Sequence, residues 1–321
     1  MVDRPNKPSA LSSTPGLPPQ AQVNITHGSQ KVTAVLPTGE SVDILLYGAT
    51  VISWKDKSGE EKLWLSEASK LDGSKAVRGG IPLVFPVFGP PPPQHATSNL
   101  PQHGFARTSR WEFLGKSTSE SESSEGGADL SVKLDFGLSS ASLETETKKL
   151  WDYAFNLIYS VTLSRESLTT SLVVTNDDSR SFELQVLLHT YFRVGDITKT
   201  TVTGLEGAQY IDKVHNKSLK TESATSLSIA GETDRVYTPV GGPSAPVKIV
   251  EGGKTKFTVA RDNLQDVVVW NPWSEKAGGM GDFAPKDGYK NMLCVEAGSV
   301  REWQTLEPGD AFEGAQTLTL A

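Results

Sequence analysis

The sequence predicts an all-β protein built as one large antiparallel β-sandwich, and three observations predict it. Short runs in which apolar and polar residues alternate recur from Val23 to the C-terminus, the period of a strand with one face in a core. Turn-forming clusters separate them, among them Thr38-Gly39-Glu40, Lys57-Ser58-Gly59, Asn176-Asp177-Asp178 and Glu251-Gly252-Gly253. No stretch keeps a helical period for more than about two turns.

Residues 1–22 hold five prolines and almost no large apolar side chains. Such a segment cannot bury enough surface to offset its ordering entropy and is predicted to be a disordered tail. Strands are predicted over Lys31–Leu36, Ser41–Leu46, Asp129–Phe136, Asn156–Leu163 and Leu168–Thr175. Further strand-like runs follow over Phe182–Val194, Val247–Val250, Phe257–Ala260, Val267–Trp270, Met292–Glu296 and the Leu-rich C-terminus. No composition break marks a linker, so residues 23–321 are expected to form a single domain of two packed antiparallel sheets. The Ser/Glu-rich run at 117–128 reads as a solvated hairpin insertion rather than a cluster of phosphorylation sites. Pro90–Pro93 reads as a stiffened loop that shapes the site or its rim.

A length of 321 residues suits one large β domain. The 31 basic and 38 acidic residues give a net charge of -7 and a pI near 5.4. There is no global basic field to hold nucleic acid or an anionic membrane, so any anion must be bound locally. No apolar run approaches the ~20 residues needed to span a bilayer. The single cysteine, Cys294, excludes an internal disulfide framework, and the N-terminus lacks the apolar core of a signal peptide. A cytoplasmic monomer is the expectation. The sequons at Asn24 and Asn216 then read as chance matches.

The candidate site residues cluster in unusual sequence. Arg78-Gly-Gly-Ile-Pro-Leu-Val-Phe-Pro-Val-Phe-Gly89 and Leu100-Pro-Gln-His-Gly-Phe-Ala-Arg107 set isolated cations and a histidine in Gly- and Pro-rich loops. Gly79, Gly80 and Gly104 read as places where a ligand comes close to the main chain. His103, in a loop four residues before Arg107, is expected to face a ligand. Alternation puts Glu183, Gln185, His189, Tyr191 and Arg193 on one face of their strand, which reads as the floor of a cleft. Glu296 ends an apolar run, where a carboxylate is either functional or half of a structural ion pair. Cys294 shares its face but reads as a small core residue. Trp270 and Trp273 could stack on a sugar or cap the core. His27, His95 and His215 lack comparable context. No His/Cys spacing or Ca²⁺ loop suggests a metal, and there is no dinucleotide or phosphate-loop motif.

Taken together, Ala76-Val-Arg-Gly-Gly-Ile-Pro-Leu-Val-Phe-Pro86, Leu100-Pro-Gln-His-Gly-Phe-Ala-Arg107, Leu188-His-Thr-Tyr-Phe192, Gly231-Glu-Thr-Asp-Arg235, Val268-Val-Trp-Asn-Pro-Trp273 and Cys294-Val-Glu-Ala-Gly298 resemble the hexose-6-phosphate mutarotase branch of the aldose 1-epimerase family. The resemblance runs from about Val23 to the C-terminus, with the motifs in the family's order, and leaves out the tail and the Ser/Glu-rich run. It implies a galactose-mutarotase type of sandwich. It also implies anomer interconversion of a hexose 6-phosphate, with no cofactor and no metal. Catalysis would fall to His103, His189 and Glu296. Arg78 and Arg107 would bind phosphate, and Gln102, Asp234 and Trp270 would contact substrate. In this scheme Glu296 starts ionised as the base and His189 protonated as the acid, although the two labels could be exchanged. A noncatalytic phosphosugar sensor on the same fold is the competing reading. A general carbohydrate-binding module with Trp270 and Trp273 as its platform is a second rival.

Overall fold

A computed structural model describes residues 20–26, 30–122 and 128–321. Most of the predicted tail, His27 and the centre of the Ser/Glu-rich run lie outside the described residues. Of the predicted tail, Ala21 is buried and Gln22 opens the strand Gln22–Thr26, which pairs with Lys31–Val35. The flanks of the Ser/Glu-rich run continue the strands Glu112–Glu122 and Ala128–Ser139, paired as far as Glu122 opposite Ala128.

The fold is all-β, with two short α-helices, Thr145–Leu150 and Trp273–Gly279, among the described residues. The two expected large antiparallel sheets are present, one of nine strands and one of eight, and a four-stranded sheet accompanies them. The nine-stranded sheet shows the one-sided pattern directly, since Ser167–Asn176 alternates half-buried and buried residues without a break. Leu168, Leu172 and Val174 of that strand pack into one contiguous core with Val267, Val269, Leu293, Val295 and Ala297 of the eight-stranded sheet. This is the interior of the sandwich.

The eight-stranded sheet differs because it is covered on both faces. Asp266–Asn271 is buried at every position, as are the first nine residues of Met292–Leu306. Alternation sorts their side chains. Odd-numbered residues from Val267 and from Leu293 enter the sandwich core, whereas Val268, Trp270, Met292 and Cys294 join a second apolar cluster with Trp64, Tyr191 and Phe283. Glu296 falls on that second face.

Candidate active site

Strand register assembles the site. Asp234 pairs with Trp270, Trp270 with Cys294 and Cys294 with Tyr191, forming one row across four strands. Glu296 lies two residues beyond Cys294 and pairs with Val268. His189 follows the end of Phe182–Leu188, whose Leu188 pairs with Ala297. A cavity of about 200 Å³ opens on this face and is lined by Arg78, Gln102, His103, His189, Asp234, Trp270 and Glu296. All the expected site residues except Arg107 are therefore brought to one wall. Phe88, Lys213, Val268, Lys276 and Met280 complete the lining.

His189 is held by rings. Its imidazole stacks on Tyr191 with centroids 4.6 Å apart and planes within 8°, and Trp270 presents an edge to it at 6.1 Å. Its Nδ1 stands 3.3 Å from Oε1 of Glu296. Both His189 Nδ1 and the other carboxyl oxygen, Glu296 Oε2, are buried without a hydrogen-bond partner. The 3.3 Å approach is thus a contact within reach of proton transfer and not an aligned hydrogen bond.

The electrostatics of this pair run against the expected charge state. Burial, then the positive environment of His103, Arg107 and Arg78, pushes the His189 pKa well below its ordinary value. Burial, reinforced by Asp234 and only partly opposed by Lys213, pushes the Glu296 carboxyl well above its own. Both shifts run toward the uncharged forms, the direction in which desolvation drives a buried carboxyl and a buried imidazole.

His103 occupies a left-handed backbone conformation, φ 68°, unusual for a residue with a side chain and a mark of a constrained site. Its N–H donates to Gly89 O at 3.0 Å, and the Gly89 N–H donates to His103 Nδ1 at 3.2 Å. Nδ1 is therefore an acceptor, and the proton of the neutral ring sits on Nε2. Burial and the charges of Arg107, Lys213 and Arg78 lower the His103 pKa to about 2, so the ring stays a neutral Nε2–H donor. The Gln102 amide stands 3.3 Å from the same nitrogen and accepts its proton only with the amide oxygen turned toward the ring.

The glycines have a different purpose from the one expected. A Cβ on Gly80 would stand 2.1 Å from Val51 O, and one on Gly104 would stand 2.0 Å from Phe85 O. Both also have φ near +67°. They admit neighbouring backbone rather than a ligand, and so hold the arginine and histidine loops against the sheet.

The two arginines are not equivalent. Arg78 donates to Asp282 Oδ2 through Nε and Nη2, at 3.1 and 3.0 Å, and to the Tyr191 hydroxyl through Nη1 at 3.2 Å. Arg107 donates through Nη2 to Gln102 O at 2.8 Å, its Nε is buried without a partner, and no carboxylate pairs with it among the described residues. It does not line the cavity, yet its charge acts on both histidines. The expectation of two uncompensated cations is thus met only by Arg107. Lys213 adds a cation that sequence reasoning missed, 3.4 Å from Asp234 and over the face of Phe88. Tyr191 and Asp282 were likewise unassigned; alternation places Tyr191 on the site face, and the only local signal for Asp282 is its place in the glycine-rich run Gly278-Gly-Met-Gly-Asp-Phe283.

Other candidates fall elsewhere. His95 pairs with Glu183 at 3.0 Å and stacks on Trp303, tying down the proline-rich loop outside the cavity. His215 pairs with Asp212 at the surface. Gln185 bonds Phe88 N and Val300 O and supports the fold. Of the two tryptophans, Trp270 lines the cavity and Trp273 packs against the core.

The sandwich with its carboxyl–imidazole pair in a small cavity is of the mutarotase class, and the family match makes it an isomerase. The chain belongs to the aldose 1-epimerase family, whose sequence profile matches residues 30–319. It is 36% identical over 300 residues to a protein of Cenchrus ciliaris named "Putative glucose-6-phosphate 1-epimerase", covering 92% of this chain and 86% of that one. A protein of the same name from Escherichia coli is 34% identical over 276 residues, covering 86% and 85%. A crystal structure from Salmonella typhimurium, described as a "putative mutarotase", superposes with a TM-score of 0.77 at 30% identity over 95% of both chains. The galactose 1-epimerase of Lactobacillus acidophilus shares the fold, with a TM-score of 0.66 at 15% identity, covering 94% of this chain and 98% of that one.

Proposed function

We propose that this protein interconverts the α and β anomers of glucose 6-phosphate and related hexose 6-phosphates. The observation that carries the reading is the His189–Glu296 pair, in contact at 3.3 Å with Nδ1 and Oε2 both unpartnered. The names of the relatives from Cenchrus ciliaris and Escherichia coli support the same substrate class.

Ring opening requires that the C1 hydroxyl lose a proton while the ring oxygen gains one. The neutral pair can do both without ever separating charge. Glu296 Oε2 accepts the C1 hydroxyl proton, Oε1–H passes its proton to His189 Nδ1, and His189 Nε2–H gives its proton to the ring oxygen as the C1–O bond breaks. The pair ends with the same number of protons on exchanged atoms, so the two titrate and act as one unit. His103 Nε2–H donates to the developing carbonyl oxygen. Rotation about C1–C2 and reversal of the steps closes the ring on its other face.

Arg78, which lines the cavity, supplies the cation for the 6-phosphate, and the charge of Arg107, outside the lining but without a carboxylate partner among the described residues, adds to the positive field there. Trp270 gives the sugar an apolar face. The test is anomerisation of freshly dissolved β-glucose 6-phosphate, followed by polarimetry or by NMR exchange between anomers. Acceleration over the spontaneous rate is expected; a spontaneous rate together with tight phosphosugar binding leaves the sensor reading instead.

A further inference from the structure

Beside the reacting pair, on the same sheet face, lies a third group that the reaction does not use. Cys294, the only cysteine of the chain, is fully buried on the same sheet face as Glu296. Ligand atoms of His189, Cys294 and Glu296 all lie within 4.8 Å of one another. We propose that these three side chains form a site for one divalent cation of the thiolate-accepting kind, Zn²⁺ foremost, and that its occupancy blocks the proton relay.

The geometry fits such an ion. Tetrahedral zinc with bonds of about 2.0–2.1 Å to N and O and about 2.3 Å to S sets its ligand atoms about 3.3–3.6 Å apart. The His189 Nδ1 to Glu296 Oε1 separation of 3.3 Å already matches one such edge. Closing the wider edges requires the carboxyl and thiol to move by roughly 1 Å. The lone pairs are available, since His189 Nδ1 and Glu296 Oε2 are both buried without a hydrogen-bond partner. An N, S, O donor set selects zinc-like ions over Mg²⁺ and Ca²⁺, which prefer all-oxygen shells.

Charge also balances. The thiol and carboxyl each release a proton to solvent on binding, so a dication with one thiolate, one carboxylate and a neutral imidazole closes as a neutral unit. The nearby Arg78 and Lys213 therefore face no net added charge. The cavity supplies both the entry path and an open fourth position, because His189 and Glu296 line it. Bound there, the ion takes the two atoms the relay depends on.

The experiment uses the purified full chain with Zn²⁺, Mg²⁺ and Co²⁺. Equilibrium dialysis with metal analysis is expected to show one Zn²⁺ per chain, with Mg²⁺ not retained. Co²⁺ should give thiolate-to-metal charge-transfer absorption, assignable to Cys294 because there is no other thiol. Zn²⁺, but not Mg²⁺, should inhibit anomerisation, and Cys294→Ser should weaken Zn²⁺ binding by about 10-fold or more, at least the cost of losing a supporting group around a metal. Absence of the charge-transfer band, or a Cys294→Ser protein that binds Zn²⁺ as tightly as its parent, overturns the proposal. Stoichiometric Zn²⁺ with undiminished turnover overturns its inhibitory half. The dialysis and the spectrum require no turnover and no folded variant, so they stand even if the anomerase reading fails.

Discussion

The Nδ1 of His189 lies 3.3 Å from Oε1 of Glu296, and burial drives both groups toward their uncharged forms. An acid and a base that are both neutral at rest differ from the ion pair that the chemistry alone suggests. They carry the same protons, however, and the substrate's own hydroxyl and ring oxygen complete the path between them.

Because the two act as a unit, Glu296→Gln and His189→Gln should each reduce kcat by about 10²- to 10⁴-fold. The double variant should be little worse than either single one. Anomer exchange by NMR measures this, and losses that simply multiply would show that the two side chains act independently.

The pH profile follows from the same shifts. His189 is depressed below 6.5 and Glu296 raised above 4.5, so protonation of His189 limits activity only at pH lower than an ordinary histidine would. The expected kcat profile at saturating substrate has no acid limb near 6.5. An acid limb centred at 6.5 contradicts the neutral pair.

Stability should depend on His103 in a defined direction. Its folded pKa, lowered to about 2, lies below the ~6.5 of an unfolded histidine. Stability is therefore fully present above about 6.5 and is lost as pH falls toward about 2, since only the unfolded ring takes up the proton. Within that window the slope from this one group is about 1.4 kcal/mol per pH unit. Denaturant unfolding of His103→Gln across the window should lack that contribution; a slope equal to that of the parent counts against it.

Phosphate recognition should separate the arginines from the relay. Arg78→Ala is expected to raise KM for hexose 6-phosphate by about 10- to 100-fold, the worth of ~1.5–3 kcal/mol of charged hydrogen bonding, and to affect free hexose far less. Arg107→Ala should act in the same sense. Asp282→Asn removes the carboxylate that occupies Arg78 and should tighten inhibition by inorganic phosphate, by ~1 kcal/mol or less for a partly exposed pair. Equal losses with phosphorylated and free sugar would remove the arginines from phosphate binding.

Gly104→Ala places a Cβ 2.0 Å from Phe85 O at a φ of +68°. The loop carrying His103 must shift, so thermal stability and kcat should fall together. Unchanged values for both would mean that the loop tolerates the displacement.

Much of the fold was legible because a strand with one buried face writes its period into the chain, as Ser167–Asn176 does. The number of sheets was not, since pairing partners such as Cys294, Trp270 and Tyr191 come from distant segments. Arg78, His103, His189 and Glu296 stood out locally as polar residues in apolar or glycine-rich surroundings. Lys213 did not, because it lies in an ordinary polar stretch, and Asp282, though set between glycine and apolar residues, gains meaning only from the Arg78 it faces.

The sequence by itself determined the sandwich, the family and the residue types of the site. Only the tertiary structure decided that Gly80 and Gly104 make room for backbone, that Arg78 is shared with Asp282 while Arg107 is not, and that burial drives His189 and Glu296 toward their uncharged forms. Residue type and period are properties of the chain, whereas desolvation and charge pairing depend on through-space distances that only folding sets.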